Sequence, residues 1–122
     1  MPSPVSATIV LLDDDDALRE AMAFALEAQG FRVRAFARPG LLPKAADLAT
    51  TGCFVIDQLM PEETGLTLLG RLRAVGISAP AILITTNPSS EIQIAAVRLT
   101  ATIVEKPLLG ERLFNVLARL LA

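Results

Sequence analysis

The chain has 122 residues, of which 52% are hydrophobic, and its formal net charge at pH 7 is −2. This length suits one domain with a substantial core, and the small negative charge argues against a nucleic-acid surface, which needs clustered Lys or Arg. Because His is absent and Cys53 is the single cysteine, the sequence excludes disulfides within the chain, His-bearing zinc sites and His-based acid–base catalysis.

Short apolar segments rich in β-branched residues, typical of buried strands, alternate with longer segments whose apolar residues have helical spacing. Gly30 and Gly76 are typical stops for two of the helices. Pro43 fits only near the first turn of its helix, and Ser90 with Gln93 has the spacing of a capping box. The predicted elements, in chain order, are strand 8–12, helix 17–29, strand 31–36, helix 41–49, strand 53–56, helix 65–75, strand 81–84, helix 90–99, strand 102–104 and helix 109–121.

Five strands that alternate with five helices predict an α/β domain, because parallel strands need crossover connections and the helices supply them. The strands are nearly continuous in apolar residues, as strands buried on both faces are. We therefore expect a doubly wound, five-stranded parallel sheet with helices on both faces. In such a fold the carboxyl ends of the strands line one crevice, near the point where strand order reverses.

Four consecutive aspartates, Asp13 to Asp16, directly follow the first predicted strand. Adjacent carboxylates repel one another, so a cluster at a strand end indicates a nearby cation, and a hard divalent ion is the obvious candidate. Asp15 or Asp16 can instead cap the next helix, where a carboxylate meets free N–H groups and the positive end of the helix dipole. That explanation leaves Asp13 and Asp14 for the cation.

Polar residues also stand at the ends of three later strands. Asp57 ends the third strand, Thr85 ends the fourth, and Glu105, Lys106 and Pro107 follow the fifth. Each has an ordinary alternative: Asp57 as a turn residue, Thr85 as an ordinary strand residue, or Lys106 as a solvated charge beside Glu105. Together they predict a pocket with three carboxylates, one hydroxyl and one ammonium.

These strand ends carry a resemblance to response-regulator receiver domains over essentially the whole chain, with the nitrogen-fixation type as the most similar subfamily. Each motif is weak alone, whereas their order and separation are specific. The motifs are Asp13-Asp14, Asp57-Gln58-Leu59-Met60-Pro61, Thr64-Gly65, Thr85 and Val104-Glu105-Lys106-Pro107. The resemblance implies a flavodoxin-like sheet of order 2-1-3-4-5, and a receiver domain over residues 1–122 with an N-terminal tail at 1–7.

The resemblance also implies a role for each site residue. Asp57 would accept a phosphoryl group as an aspartyl phosphate, while Thr85 and Lys106 would contact that group. Mg²⁺ would be the cofactor. Its ligands would be Asp13, Asp14, Asp57 and the backbone carbonyl of Leu59.

The function implied is that of a phosphorelay receiver in two-component signalling. A histidine kinase or phosphotransfer protein would supply the phosphoryl group, and the domain would shift an output surface in response. It would catalyse its own phosphorylation and dephosphorylation rather than act as an enzyme on a separate substrate.

Some positions depart from the family pattern. Ile103 stands where Tyr or Phe is usual, and a stiff β-branched side chain cannot swing as a ring does. Thr100 with Ala101 replaces a Gly-Ala turn. Leu59 and Asn87 lie two residues after Asp57 and Thr85, and we expect their side chains to affect water access to the pocket. Ile103 favours an alternative function, a degenerate receiver that acts as a phosphorylation-independent interaction module.

The predicted output surface is formed by the fourth helix, fifth strand and fifth helix. Ile92, Ile94 and Val97 make the fourth helix apolar for its length, and a homodimer through this surface is a further expectation. Charged or turn residues interrupt the long apolar stretches, and no basic region precedes a leader-like segment. We therefore expect a cytoplasmic location, with no membrane partner and no nucleic-acid contact by this domain.

The acidic cluster suggests two other chemistries. Asp13 and Asp15 form an Asp-x-Asp pattern found in small phosphatases, but that function leaves Asp57 without a task and lacks a cap over the substrate. A helix–loop–helix calcium site is excluded, because a loop starting at Asp13 has Leu18 where Gly is needed and Phe24 where Glu is needed.

Overall fold

Strands and helices alternate along the chain in the computed structural model, which describes residues 7–106 and 111–121. The strands are β1 (Thr8–Leu12), β2 (Arg32–Phe36), β3 (Cys53–Asp57), β4 (Ala81–Thr85) and β5 (Ala101–Glu105). The helices are α1 (Asp16–Ala28), α2 (Ala45–Leu48), α3 (Gly65–Ala74), α4 (Ser90–Arg98) and α5 (Glu111–Leu120), with a 3-10 turn at Pro39–Leu41. Within those two ranges, no helix is both long enough and apolar enough to cross a membrane.

The five strands form one parallel sheet in the order β2-β1-β3-β4-β5, which confirms the predicted doubly wound, flavodoxin-like fold. From β1 the chain winds outward to β2, then crosses to β3 and continues in the other direction. The switch point therefore lies between β1 and β3, whose last paired residues are Leu12 and Ile56. A crevice opens at the carboxyl ends of these two strands.

The two faces of the sheet carry separate apolar cores, because alternate side chains of a strand point to opposite faces. The core toward α1 and α5 includes Ile9, Leu11, Met22, Leu26, Val55, Leu113 and Leu117. The core toward α2 and α3 includes Val10, Leu12, Leu48, Phe54, Ile56, Leu68 and Leu69. With both faces covered, β1, β3 and β4 form a firm platform for the polar side chains at their ends.

The second helix is much shorter than the prediction of 41–49. Leu42 and Lys44 are both extended, with ψ of 142° and 155°, and α2 makes a single turn from Ala45 to Leu48. The cause is Pro43, which disfavours helical backbone in the residue before it. Pro43 therefore precedes the helix instead of lying in its first turn, and that part of the prediction was wrong.

The predicted capping box of α4 was wrong by one residue. The Ser89 hydroxyl, and not that of Ser90, accepts a hydrogen bond from the Ile92 N–H at 3.2 Å, while the Gln93 side chain donates to the Pro88 carbonyl at 3.1 Å. Either serine can cap a helix, so the sequence alone did not distinguish them.

The predicted stops of α1 and α3 are confirmed by the positive φ of Gly30 and Gly76, at 98° and 91°. These are left-handed conformations that glycine adopts without a steric penalty. The predicted start of the last helix, at 109, lies outside the described residues.

Candidate functional site

Three acidic side chains meet at the switch point between β1 and β3. Asp13 follows β1 and Asp57 ends β3, and both are buried, whereas Asp14 is exposed. One carboxylate oxygen from each of the three lies within 4.8 Å of the others. The structure thus brings together the carboxylates that the sequence placed at two different strand ends.

Hydrogen bonds fix the turn that carries Asp13. Its carboxylate accepts from the Asp15 N–H at 2.9 Å, its N–H donates to the Phe36 carbonyl at 3.3 Å, and its carbonyl accepts from the Arg19 guanidinium at 2.9 Å. Asp15 caps α1 by accepting from the Leu18 N–H at 3.1 Å. One of the two later aspartates therefore has a structural role, as expected, and Asp13 is held toward the crevice.

The electrostatics of Asp13 favour a bound cation. Burial raises the pKa of its carboxyl group, and the charges of Asp57 and Asp14 raise it further, against the opposing effects of the Asp15 N–H and of Lys106. A divalent ion would offset this repulsion. The candidate metal ligands are all carboxylate oxygens, from two buried residues and one exposed residue, and such a set of hard ligands fits Mg²⁺.

Asp57 is held between a backbone donor and an ammonium group. One carboxylate oxygen accepts from the Leu59 N–H at 3.3 Å, and the Nζ of Lys106 lies 3.2 Å from each of the two oxygens. The backbone N–H of Lys106 donates to the Thr85 carbonyl at 2.9 Å, which keeps the end of β5 beside the end of β4. The lysine that follows β5 therefore reaches across β4 to the last residue of β3.

Thr85 lies at the same edge of the sheet. It is the last residue of β4, one position beyond Ile84, which pairs with Asp57 in the parallel register. Thr85 is buried, and its neighbour in β5 is Glu105. The strand ends thus place one hydroxyl residue next to the carboxylate and the ammonium.

The structure also describes three of the remaining predicted positions, Leu59, Asn87 and Ile103. The Leu59 side chain is 69% exposed, directly after the Asp57–Gln58 pair. Asn87, in the loop after β4, is also exposed and has a φ of 45°, a conformation that Asn tolerates better than most residues. Ile103 is partly buried in β5, beside Leu83. Pro107 lies outside the described residues.

Two features that shape the site were not predicted from the sequence: the contacts of Arg19 and the close packing that Gly65 permits at the start of α3. Arg19 binds both the Asp13 carbonyl and, at 2.6 Å, the Asp16 carboxylate; a basic residue in the first turns after an acidic cluster was the available signal. Gly65 starts α3, and a Cβ there would lie 2.7 Å from the Asp57 carbonyl oxygen and 2.8 Å from Leu83 Cδ1. Only glycine lets α3 approach β3 this closely.

Comparison with known proteins agrees with this geometry. A sequence model of the family described as "Response regulator receiver domain" matches residues 9–118. The transcriptional regulatory protein FixJ of Azorhizobium caulinodans is 35% identical over 105 residues, which is 85% of this chain and 50% of FixJ. FixJ of Bradyrhizobium diazoefficiens is 32% identical over 106 residues, 86% of this chain and 52% of FixJ. The chain thus spans about half the length of these curated relatives.

Solved structures show the same fold at lower identity. The chemotaxis protein CheY4 of Vibrio cholerae has a TM-score of 0.83 at 24% identity, covering 94% of this chain and 98% of CheY4. The receiver domain of the Francisella response regulator 1452 has a TM-score of 0.85 at 21% identity, covering 95% of this chain and 97% of that domain. The chain therefore belongs to the response-regulator receiver domain family, and its similarity to FixJ supports the nitrogen-fixation type within it.

Proposed function

We propose that this receiver domain accepts a phosphoryl group on Asp57, with Mg²⁺ as cofactor, from a histidine kinase or phosphotransfer protein. The observation that carries the proposal is the position of Asp57: its buried carboxylate lies between the Lys106 ammonium and the acidic pair that follows β1. Residues 1–122 would form one receiver domain in a cytoplasmic protein; of its expected N-terminal tail, residues 1–6 lie outside the described residues.

The reaction would be a phosphoryl transfer between two nucleophiles. An oxygen of Asp57 attacks the phosphorus; a P–O bond forms as the P–N bond to the donor's imidazole breaks, and that imidazole leaves with the electron pair and takes up a proton. The product is an acyl phosphate on Asp57. Hydrolysis by water would later return the free carboxylate and inorganic phosphate.

Attack by one anion on another is opposed electrostatically, so the site must supply positive charge and hydrogen-bond donors. Lys106 is already within 3.2 Å of Asp57 and can move its ammonium onto the incoming phosphoryl oxygens. Thr85 would donate its hydroxyl to another of these oxygens. The Leu59 N–H, which now donates to one oxygen of Asp57, helps to hold the carboxylate in orientation.

Mg²⁺ would be held by the side chains of Asp13, Asp14 and Asp57 and by the backbone carbonyl of Leu59. When bound, it would supply positive charge against both the carboxylates and the phosphoryl oxygens. Support comes from the oxygen-only donor set, the close approach of the three carboxylates and the raised pKa of Asp13.

Signalling would follow from a shift between two conformations. The phosphoryl group can bias that equilibrium only through contacts that differ between the two conformations, and we expect Thr85 and Lys106, at the ends of β4 and β5, to make those contacts. The output surface would be α4, β5 and α5, where the exposed Ile94 and Val97 are suited to partner contact or to a homodimer.

The test of the acceptor is the variant Asp57→Asn, which keeps the size of the side chain but removes the nucleophilic carboxylate. We expect wild-type protein incubated with acetyl phosphate and Mg²⁺ to gain a phosphoryl group by intact mass, and the variant to gain none. Asp47→Asn, which changes an exposed aspartate on α2, is the matched control and should be labelled as wild type is. Labelling of the Asp57 variant at the wild-type level would refute the assignment.

An interaction module that works without phosphorylation is the second candidate, and the aliphatic Ile103 in β5 is the observation in its favour. Such a domain would keep the fold, but its output surface would not change when a phosphoryl group or its analogue binds at Asp57. Titration with beryllofluoride, an acyl-phosphate analogue, in the presence of Mg²⁺ separates the two candidates. Binding near Asp57 with chemical-shift changes in α4 supports the receiver, and binding without changes there supports the module.

A further inference from the structure

Gln58 is a buried polar residue that the proposed reaction does not use. It directly follows Asp57, and it is only 7% exposed. Met60, two residues further along the chain, and Leu68 of α3 belong to the apolar core between the sheet and α2 and α3. An uncharged amide in such surroundings loses stability unless its polar atoms are hydrogen bonded, so its contacts indicate why it is there.

The contacts of Gln58 join the two ends of the loop between β3 and α3. Its side-chain Oε1 accepts from the Leu66 N–H at 2.9 Å, and its backbone carbonyl accepts from the Gly65 N–H at 3.0 Å. Its own N–H donates to the Ile84 carbonyl of β4 at 2.9 Å. One residue therefore connects the end of β3, the neighbouring strand and the first turn of α3.

The loop that Gln58 closes contains a proposed metal ligand. Residues 59–64 lie between Gln58 and its hydrogen-bond partners Gly65 and Leu66, and the carbonyl of Leu59 is at the start of this segment. The Leu59 N–H in turn donates to the Asp57 carboxylate. A loop fixed at both ends has less freedom, so its carbonyl and N–H groups stay closer to one arrangement.

Capping of α3 does not account for the Gln58 side chain by itself. Thr64 already caps the helix, because its hydroxyl accepts from the Thr67 N–H at 3.2 Å. The Gln58 amide adds a bond that spans eight residues and starts beside the phosphoryl acceptor. Its distinctive effect is to tie the loop to the end of β3.

We propose that Gln58 is a positioning residue for the metal site, which holds the loop between β3 and α3 so that the Leu59 carbonyl and the Asp57 carboxylate keep a Mg²⁺-binding arrangement. This role rests on the proposed function, since it exists only if Mg²⁺ binds there. Removing a hydrogen-bonding partner of metal ligands typically weakens metal binding by about 10- to 100-fold, and the lower end of that range suits Gln58, whose side chain acts on the ligands through the loop.

The experiment compares Gln58→Met with Thr64→Ala by isothermal titration calorimetry with MgCl₂, alongside thermal unfolding. Each variant removes one hydrogen-bond acceptor from the start of α3, and methionine keeps the length of the glutamine side chain. We expect Gln58→Met to bind Mg²⁺ about tenfold more weakly than wild type. Thr64→Ala should lower the unfolding temperature comparably but leave the Mg²⁺ dissociation constant within about twofold of wild type.

The results distinguish failure of this inference from failure of the proposed function. If wild type itself binds no Mg²⁺, the proposed metal site is wrong. If wild type and Gln58→Met bind Mg²⁺ equally well, Gln58 is only structural and the inference is overturned. A variant Gln58→Glu keeps an acceptor for the Leu66 N–H and adds negative charge, so it should bind Mg²⁺ at least as tightly as wild type; weaker binding would also contradict the role.

A second measurement uses wild-type protein alone and does not depend on a variant that folds. Because coupling between two equilibria is reciprocal, a Gln58 contact that strengthens Mg²⁺ binding must itself be strengthened by Mg²⁺. Hydrogen exchange of the Leu66 amide should therefore slow about tenfold on saturation with Mg²⁺, while that of the Thr67 amide, which Thr64 holds, should slow less. Equal slowing of both amides, or none, would overturn the inference.

Discussion

At the scale of single residues, Asp13 has the least favourable surroundings of the candidate site. It is 2% exposed and shares the crevice with two other carboxylates, so its burial and the nearby charges both raise the pKa of its carboxyl group. A raised pKa means that the folded state binds this proton more tightly than the unfolded state does. Asp13 therefore contributes most to the free energy of unfolding when the pH is below the ordinary pKa of its carboxyl group. This contribution is lost as the pH rises through the raised pKa of the folded state.

This pH dependence predicts that Asp13→Asn stabilises the metal-free domain at neutral pH. Asparagine keeps an oxygen acceptor for the Asp15 N–H but removes the repelled charge. We expect the unfolding temperature without Mg²⁺ to rise by about 4 °C at pH 7, the shift that about 1 kcal/mol gives in a domain of this size, and by less at pH 4. Mg²⁺ should stabilise wild type and have little effect on the variant.

Differential scanning calorimetry with and without MgCl₂ at the two pH values measures this prediction. Asp47→Asn is the control, because Asp47 is an exposed aspartate on α2, and this change should leave both the pH dependence and the Mg²⁺ effect unaltered. A metal-free Asp13→Asn protein that is less stable than wild type at pH 7 would show that hydrogen bonding, and not charge repulsion, dominates at this position.

The convergence of Asp13, Asp57 and Lys106 could be predicted from the sequence, because each follows a recognisable apolar strand and parallel strands share one carboxyl edge. The contacts of Arg19 and Gln58 could not. Their partners are backbone atoms in other segments, and which of these lie within reach depends on how the loops close in three dimensions.

At the scale of elements, Arg73 holds the turn between α4 and β5 against the end of α3. Its guanidinium donates to the carbonyls of Leu99 at 2.9 Å and Thr100 at 3.3 Å, and also to those of Ile77 at 3.0 Å and Ala79 at 2.7 Å. Burial lowers the pKa of this guanidinium. The end of α4 is thus fixed to the end of α3. The turn held in this way includes Thr100, whose φ of 58° lies in the left-handed region.

A β-branched residue in the left-handed region is strained, so Thr100→Gly should stabilise the domain. Relief of about 1–3 kcal/mol of strain exceeds the roughly 0.5–1 kcal/mol that glycine loses in chain entropy, and the exposed threonine gives up little packing. We expect a gain of about 1 kcal/mol in the free energy of unfolding, measured by urea denaturation.

Thr50→Gly is the matched control, because Thr50 is also an exposed threonine in a turn but lies outside the left-handed region. Its free energy of unfolding should fall by about 0.5–1 kcal/mol. If Thr100→Gly is destabilising to the same extent as Thr50→Gly, the positive φ of Thr100 carries no strain.

Every strand end was predicted to within one residue, because continuous apolar segments between turn residues leave few alternatives. The helix over 41–49 was not, since its composition is compatible with a helix and only the extended backbone around Pro43 restricts it to one turn. The residue that caps α4 was ambiguous between two serines. Patterns that depend on burial over several residues were therefore predictable, whereas those set by one local conformation were not.

At the scale of the whole molecule, the candidate site and the proposed output surface are joined through β4 and β5. Thr85 and Lys106 lie at the ends of these paired strands, and α4 connects them in sequence. On α4, Val97 is 76% exposed and Ile94 is 53% exposed, beside a partly buried Ile92. Apolar side chains so placed gain free energy when a partner removes them from water.

We therefore expect dimerisation through α4 to depend on the state of Asp57 and on Val97. Multi-angle light scattering should show a larger species for wild type with beryllofluoride and Mg²⁺ than without them. Val97→Asp places a charge in the proposed contact and should keep the protein monomeric under both conditions.

Val75→Asp is the control, because Val75 is similarly exposed, at 62%, but follows α3; it should dimerise as wild type does. If the two variants dimerise equally, the contact lies elsewhere on the molecule. If beryllofluoride and Mg²⁺ do not change the size of the wild-type species, dimerisation does not depend on the state of Asp57.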